Sequence, residues 1–446
     1  MAHASLDAPL LHSRLIPMWF CLLLYLLPGM PFASGQTSQA KQESGLRFEI
    51  SFPSTVNSTP VDGRILLIIS TSNREEPRFQ VSESGVRSQQ VFGVDVEGLQ
   101  PGQSAVIDHS VLGYPTVNLS QVPAGDYYVQ AVLDRYTTVH RAGGRLLKLP
   151  MDEGEGQEWD SKPGNLLSKP DRVHIDPSSR NVVHISLTRI IPPIAAAKDT
   201  EWVKHIRIVS PSLSKFWGRP VYLGAIVLLP SGWDSHPDAH YPLLVRQGHF
   251  SRDFEGFSTQ APSPDLTGFE KTRAEYAYRF YQDWTSGKLP HILILQIQHA
   301  NPYGDDSYAV DSANVGPYGT AITKELIPYV ESKFRAIGQG WARVNFGAST
   351  GGWEALASQV FYPEFYNGAW SFCPDPVDFR QFQLVNIYQD KYAFWTMGPW
   401  TRLPRGEMRE ANGTILTTME DEQRRTATRV IRMLQLISAH SLRQSG

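Results

Sequence analysis

The stretch that decides the fold spans residues 344–353 and reads Val344-Asn345-Phe346-Gly347-Ala348-Ser349-Thr350-Gly351-Gly352-Trp353. An apolar strand pattern ends here in Gly-x-Ser-x-Gly, which is typical of a sharp strand-to-helix turn with a serine at its tip. Gly347 and Gly351 flank Ser349 at positions where a Cβ would clash if strand and helix pass close together. The stretch therefore predicts a strained corner that projects the Ser349 hydroxyl out of a sheet.

A helix is predicted directly after this corner. Apolar residues recur there with helical spacing, at Trp353, Leu356, Ala357 and Val360. The unpaired N–H groups at the start of this helix, that of Thr350 first, would then face an oxyanion formed at Ser349. A glycine- and serine-rich loop is the alternative, and the strand before and the helix after favour the corner.

Length and composition indicate a globular protein of two or three domains. The chain has 446 residues, of which 41% are hydrophobic and 19% charged, enough to build a sizeable core. Its formal charge of −3 gives no electrostatic argument for binding nucleic acid or an anionic membrane. We therefore predict no nucleic-acid partner.

The first 35 residues indicate export. Arg14 precedes an apolar run that is too short and too rich in flanking proline for a comfortable membrane span, and small residues follow at 33–35. We predict a secretory signal peptide over 1–35, with an uncleaved anchor as the alternative, and a secreted or periplasmic protein with no membrane span in the mature chain. Removing it leaves one cysteine, Cys373, predicted to be a buried thiol.

Residues 46–190 have the pattern of an all-β domain. Short β-forming segments alternate with proline and glycine turns, which predicts an immunoglobulin-like sandwich. The acidic, glycine-rich run 152–160 lacks the ordered spacing of a calcium loop, so we predict a solvated loop. Residues 191–200 are predicted to be a linker.

From residue 201 to 425 the pattern changes to apolar strands that alternate with helices. Segments 221–230, 241–246 and 291–297 are predicted strands, and a helix is predicted over 318–334 with a kink or break at Pro328. This alternation predicts a mostly parallel sheet covered by helices on both faces.

Residues from about 202 to 419 resemble the putative-esterase family of α/β-hydrolases, which includes esterase D, feruloyl-esterase and enterochelin-esterase relatives. The matching segments are Tyr241-Pro242 before Gly248-His249, Asp311-Ser312-Ala313-Asn314, Glu325-Leu326-Ile327-Pro328, and Gly347 to Gly352. The resemblance implies an α/β-hydrolase-type fold and an ester-hydrolysing ancestry, without naming the ester. It implies no cofactor and no metal.

By this resemblance Ser349 corresponds to the catalytic nucleophile. The loop at Gly248 and His249 corresponds to the one that lends an oxyanion N–H, and Thr350 supplies the other. Such donors are worth about 3 kcal/mol each in comparable sites. Four polar residues after a predicted strand are candidate substrate contacts, with a polar surface loop as the alternative: Asn301, Tyr303, Asp305 and Asp306.

The acid and the base of a triad are not supplied by the expected strands. Asp375 comes directly after the strand that follows the corner, too early for the acid of this fold. His440 is the only histidine after Ser349 and is the candidate base, with an exposed terminal histidine as the alternative. Residues 426–446 read as an atypical basic tail. We therefore hypothesise a C-terminally truncated family member with an unsatisfied sheet edge and low solubility.

Two functions remain open at this point. The first is an exported serine ester hydrolase for a small-molecule or glycan ester, inactive if acid and base are missing. The second is a non-catalytic secreted protein that binds a glycan or a partner through a degenerate hydrolase domain. The sequence leaves the oligomeric state open.

Overall fold

The computed structural model describes residues 45–82 and 86–430. The predicted signal peptide, His440 and the last part of the basic tail lie outside these residues. Within the described part of the chain, no helix is long and apolar enough to cross a membrane.

The first half of the described chain is built from strands. These are β1 (Arg47–Ser51), β2 (Val61–Ser70), β3 (Gln90–Leu99), β4 (Ala105–Ile107), β5 (Gly113–Tyr114), β6 (Gly125–Arg135), β7 (Thr137–Arg141), β8 (Arg145–Leu149), β9 (Leu166–Leu167), β10 (Asp171–Ile175), β11 (Val182–Ser186) and β12 (Arg189–Ile190). Short 3₁₀ turns lie at Pro77–Gln80 and Leu119–Gln121.

Ten of these strands form two sheets that share a core, and β7 and β8 pair as a separate two-stranded sheet. One has the order β11–β1–β4, and the larger has the order β12–β9–β6–β2–β3–β5, with β10 also paired to β6. Alternate residues of β1 and β2, such as Phe48, Ile50 and Leu67, meet in that core. The immunoglobulin-like sandwich stays a prediction.

Strand β2 is buried on both faces, which explains its continuous apolar sequence. Leu66 and Ile68 face away from the shared core and pack with Trp159, which comes from the run 152–160. That run was predicted to be a solvated loop, and the prediction is wrong for Glu155 and Trp159, which are buried. The outer face of the larger sheet needs a cover, and this run supplies part of it.

The second half alternates strands and helices, as predicted. Its elements are β13 (Val203–Val209), α1 (Pro211–Trp217), β14 (Tyr222–Leu228), β15 (Leu243–Arg246), α2 (Gly268–Thr285), β16 (Leu293–Gln298), β17 (Asp311–Ser312), β18 (Gly316–Pro317), α3 (Tyr318–Ala321), α4 (Ile327–Phe334), β19 (Arg343–Ala348), α5 (Thr350–Phe361) and β20 (Ala369–Phe372). A π-helical turn at Ile322–Leu326 joins α3 to α4 and precedes Pro328, which occupies the first turn of α4.

Six of these strands form a mixed sheet in the order β13–β14–β16–β15–β19–β20. Strands β15, β16, β19 and β20 pair in parallel, whereas β13 and β14 are antiparallel additions at one side. Leu293 and Leu295 pack with α4 on one face, and Ile294 packs with Trp284 of α2 on the other. Burial of alternate residues on opposite faces is the pattern expected when helices cover both.

The last described helix, α6 (Met419–Val430), returns to the first half of the chain. Before it lie β21 (Trp395–Met397), β22 (Arg402–Pro404), β23 (Gly406–Arg409) and β24 (Ile415–Thr418), with 3₁₀ turns at Phe379–Gln381 and, ahead of β19, at Gly340–Ala342. Buried Arg64 of β2 donates to the carbonyl oxygen of Thr428 at 2.7 Å and pairs with Asp95. Helix α6 therefore docks on the larger β-sheet, and the predicted boundary between residues 425 and 426 falls inside it.

Candidate active site

Ser349 stands at a strained corner between β19 and α5. Its φ of 56° and ψ of −126° lie outside the regions that side-chain-bearing residues normally adopt. A Cβ at Gly351 would come within 2.5 Å of the Gln247 carbonyl oxygen and 2.9 Å of the Gly248 Cα. Only glycine permits this approach of helix to neighbouring strand. The corner leaves the Ser349 side chain exposed.

Asp375 holds this corner from the loop that follows β20. Its N–H donates to the Ser349 carbonyl oxygen at 3.2 Å, and its two carboxylate oxygens accept from Ser349 Oγ at 3.3 Å and Thr350 Oγ1 at 2.8 Å. Sequence analysis set Asp375 aside as too early for a triad acid. The structure brings the Asp375 carboxylate within hydrogen-bond distance of Ser349 Oγ, because β20 pairs directly with β19.

A histidine–carboxylate pair lies on the adjoining loops. His249 Nδ1 is 2.6 Å from Asp306 Oδ2, and the aspartate side chain is 4% exposed whereas the imidazole is 57% exposed. The hydrogen bond to Asp306 raises the pKa of His249 above its ordinary value. Burial raises the pKa of Asp306, and His249 opposes that shift. A buried carboxylate thus orients an imidazole that is open to solvent.

Two hydrogen bonds hold the loop after β16 around Asp306. Asn301 Nδ2 donates to the Asp306 carbonyl oxygen at 2.7 Å, and the Ser307 N–H donates to the His299 carbonyl oxygen at 2.7 Å. Asn301 and Asp306 are buried, so for these two residues the structure does not match the polar surface loop that was the alternative. Asp305 is exposed and Tyr303 is half-buried.

Beneath the His249 loop lies a buried carboxyl that sequence analysis did not single out. Glu354 of α5 is fully buried, and the backbones of Gly248 and Tyr308 lie beside its carboxyl. Burial raises its pKa well above the ordinary value, and burial lowers the pKa of neighbouring His299 to about 3. Both shifts favour the neutral forms of the two groups across their 3.4 Å contact.

The two predicted oxyanion donors occupy different settings. Thr350 begins α5, where the first N–H groups lack intrahelical acceptors. The N–H of Gly248 lies close enough to Glu354 to lower the pKa of that carboxyl. A Cβ at Gly248 would meet nothing within 4 Å, so the space beside it is open. The N–H of His249 is then the remaining candidate donor of this loop.

A cavity of about 800 Å³ opens beside the corner. His249, Asp306 and Thr350 line it, and so do residues from two distant parts of the chain. These distant contributions are Val81, Gln157, Glu158, Trp159 and Asp160 from the first half, and Glu422, Gln423, Arg425 and Thr426 from α6. The Gln157 side chain donates to the Asn301 carbonyl oxygen and so joins the β region to the wall of the cavity.

Cys373, which follows β20, is exposed and has a φ of 35°. The prediction of a buried thiol is therefore wrong. The apolar residues before it indicated a strand but did not indicate that this strand lies at the end of the sheet. Among the described residues there is no group of three or more histidine, cysteine or acidic side chains that could hold a metal ion.

The comparisons with known proteins point to esterases. Residues 270–433 match the family described as putative esterase, which confirms the predicted resemblance over that range. No curated protein matches the chain.

Three similar solved structures illustrate the level of likeness. A ferulic acid esterase is 17% identical, over 39% of this chain and 59% of its own, with a TM-score of 0.29. An S-formylglutathione hydrolase from Agrobacterium tumefaciens is 14% identical, over 40% and 61%, with a TM-score of 0.28. A fluorophosphonate-binding serine hydrolase from Staphylococcus aureus is 14% identical, over 41% and 63%, also at 0.28. The chain thus spans less than two thirds of these structures.

Proposed function

We propose that this chain, whose residues 270–433 match the putative esterase family, is a serine ester hydrolase with Ser349 as its nucleophile. The observation that carries the proposal is the strained backbone of Ser349, with a φ of 56° and a ψ of −126°, at a strand-to-helix corner that leaves its side chain exposed. Strain of this kind persists where the surrounding packing enforces it, and the glycine contact at Gly351 does so here.

The surroundings of the corner suit acyl transfer. Attack of Ser349 Oγ on an acyl carbon places negative charge on the former carbonyl oxygen. The first N–H groups of α5, beginning with that of Thr350, and the N–H of His249 are the donors we assign to that oxygen. Two such donors support the step because they favour the charge that develops in the transition state over the neutral ester.

The cavity beside the corner is the proposed substrate site. About 800 Å³ is in the range for a small organic ligand. Its wall combines aromatic side chains with amide and carboxylate groups, for example Tyr308 beside Asn301 and Trp159 beside Gln157. This mixture supports a small-molecule or glycan ester that carries hydroxyl groups next to an apolar part.

Export and the non-catalytic alternative complete the proposal. We propose a secreted or periplasmic location from the N-terminal apolar run, which lies outside the described residues. One observation favours the alternative of a binding protein. Among the described residues, Ser349 Oγ donates its hydrogen bond to Asp375 and not to a histidine. Labelling of Ser349 by a fluorophosphonate separates the two functions.

A fluorophosphonate probe tests the proposal directly. The probe phosphonylates a serine hydroxyl that is activated as a nucleophile, so the wild-type protein is expected to be labelled and Ser349→Ala is not. Ser286→Ala is the matched control, because Ser286 caps the end of α2 and does not line the cavity. It should be labelled like the wild type.

Hydrolysis of p-nitrophenyl acetate gives the second readout. Release of nitrophenolate by the wild type and its loss in Ser349→Ala would support the hydrolase. Folded, soluble wild-type protein that neither reacts with the probe nor releases nitrophenolate would overturn the proposal and favour the binding protein. Circular dichroism of each variant establishes that the fold is intact.

A further inference from the structure

The proposed nucleophile needs a base, and the chain offers few histidines for that role. A serine hydroxyl is a poor nucleophile unless a neighbouring group removes its proton in the transition state. Within the described residues no histidine follows Ser349, and His440 lies outside them. The base must therefore come from an earlier loop, from Asp375, or from His440.

The His249 loop packs directly against the corner. The contact between Gly351 and the Gln247–Gly248 backbone brings the end of β15 onto the first turn of α5. His249 is the next residue along that loop, and it lines the same cavity wall as Thr350. Asp375, which bonds to Ser349 Oγ, also contributes to the raised pKa of His249. The imidazole therefore lines a cavity whose wall also includes Thr350, the residue that follows Ser349.

The hydrogen bond to Asp306 gives the imidazole the correct tautomer. A carboxylate that accepts from Nδ1–H leaves Nε2 as the basic nitrogen. Because Asp306 is 4% exposed and His249 is 57% exposed, the acid is fixed inside the protein and the base faces the cavity. This division of roles is the one that a general base and its orienting carboxylate require.

Asp375 is less suited to the role although it touches the serine. A carboxylate is a weaker base than an imidazole and takes a serine proton less readily. Its other two bonds, from its own N–H to Ser349 and from Thr350 Oγ1 to its carboxylate, fix the backbone of the corner. We therefore regard Asp375 as a positioning residue.

We propose that His249, oriented by Asp306, is the general base for Ser349, an inference that rests on the proposed function. Ser349 Oγ forms a bond to the acyl carbon while its proton passes to His249 Nε2. The alcohol then leaves as its bond to the acyl carbon breaks, and it takes that proton. Water then attacks the acyl carbon of the acyl-enzyme while its proton passes to His249 Nε2. The bond to Ser349 Oγ breaks, Oγ takes that proton, and the carboxylic acid is released. Along the chain the order is base, acid, nucleophile, which reverses the usual order of this fold.

The pH dependence of kcat/KM for p-nitrophenyl acetate tests this inference. In the wild type the rate should rise with pH through a pKa above 6.5, because the imidazole must be neutral to accept a proton and Asp306 raises its pKa. His249→Gln should lower kcat/KM by about 10²–10⁴-fold and abolish this inflection. Asp306→Asn should lower kcat/KM, while Ser349 should still be labelled by the fluorophosphonate.

His174→Gln is the matched control. His174 makes a similar pair, with Nδ1 2.8 Å from Asp126 Oδ1, on β10 and β6, and it does not line the cavity. Its rate and pH profile should equal those of the wild type. Addition of imidazole to His249→Ala should restore part of the lost rate.

The outcomes separate this inference from the proposed function. If Ser349→Ala loses activity but His249→Gln keeps both its rate and its inflection, the base is another group and the inference is overturned while the hydrolase stands. Loss of the inflection in Asp375→Asn but not in His249→Gln would assign the base to Asp375. A folded wild type with neither labelling nor hydrolysis would overturn both.

Discussion

The middle and one end of the six-stranded sheet differ sharply in how they are covered. Leu293 and Leu295 of β16 are fully buried between helices. At the end of the sheet, Trp370 and Phe372 of β20 are 60% and 56% exposed, and within the described residues no strand pairs with the outer edge of β20. The Ser349 corner lies one strand in from that edge. The difference teaches that the corner forms where the buried interior of the sheet meets its exposed edge strand, because the Phe372 carbonyl oxygen of β20 and Asp375 after it both bond to Ser349.

The difference continues into the residues after β20. Several large apolar side chains there are exposed, among them Val377, Ile387, Tyr388, Trp400 and Leu403. Exposed apolar patches of this kind favour association. The hypothesis that the chain is truncated stays a prediction.

The largest expected effect is the loss of a core side chain from the middle of the sheet. Leu295→Ala should lower the free energy of unfolding by about 2–5 kcal/mol, because it leaves a cavity between packed layers. Trp370→Ala at the exposed edge should change it by no more than about 0.5 kcal/mol. Urea denaturation followed by tryptophan fluorescence and circular dichroism measures both. Equal losses at the two positions would contradict the contrast between middle and edge.

The next effect concerns the close contact that forms the corner. Gly351→Ala should cost about 1–3 kcal/mol of stability, because the new Cβ meets the backbone of residues 247 and 248. A displaced corner should also slow labelling of Ser349 by about 10²-fold. Gly368→Ala, where a Cβ meets nothing within 4 Å, is the control and should leave both quantities unchanged. Normal labelling of Gly351→Ala would show that the corner does not depend on this contact.

A further effect is a pH dependence of stability that comes from Glu354. Burial raises its pKa above 4.5 in the fold, with Asp306 and Asp305 nearby adding to the shift. The group therefore holds its proton more tightly in the fold than in the unfolded chain, so stability is lost as pH rises above about 4.5. Glu354→Gln has no proton to release, and its advantage over the wild type should be larger at pH 8 than at pH 5.

Denaturation of both proteins at the two pH values measures this difference. Glu270→Gln, in the first turn of α2 at an exposed position, is the matched control. An advantage of Glu354→Gln that is the same at pH 5 and pH 8 would mean that Glu354 is already ionised in the fold.

The sequence was sufficient to predict the Ser349 corner because its requirements are local. Two glycines, an apolar strand and a helical repeat stand within a few residues of one another, and the corner lies between β19 and α5 as expected. The alternation of strands and helices likewise predicted a sheet covered on both faces. The two antiparallel strands at its side were not predicted.

The partners of the corner depend on contacts between distant residues. His249 and Asp306 are 57 residues apart and meet because β15 and β16 are parallel neighbours whose ends lie at the same edge. Both were predicted to be site residues, His249 in the oxyanion loop and Asp306 as a substrate contact. Glu354 carried no signal, since a single carboxylate in a predicted helix is normally exposed.

The burial of loops could not be predicted either. Whether the run 152–160 is solvated depends on the outer face of the larger β-sheet, which it covers. Whether Cys373 is buried depends on how many strands follow β20 in the sheet.

The most direct test of the central claim is the location of an acyl or phosphonyl group on the chain. Intact wild-type protein is treated with a fluorophosphonate, digested, and analysed by tandem mass spectrometry. We predict a single adduct on Ser349, in the peptide that contains Gly347 and Gly351, and none on exposed Cys373. An adduct elsewhere, or folded protein without one, would contradict the assignment of Ser349 as the nucleophile.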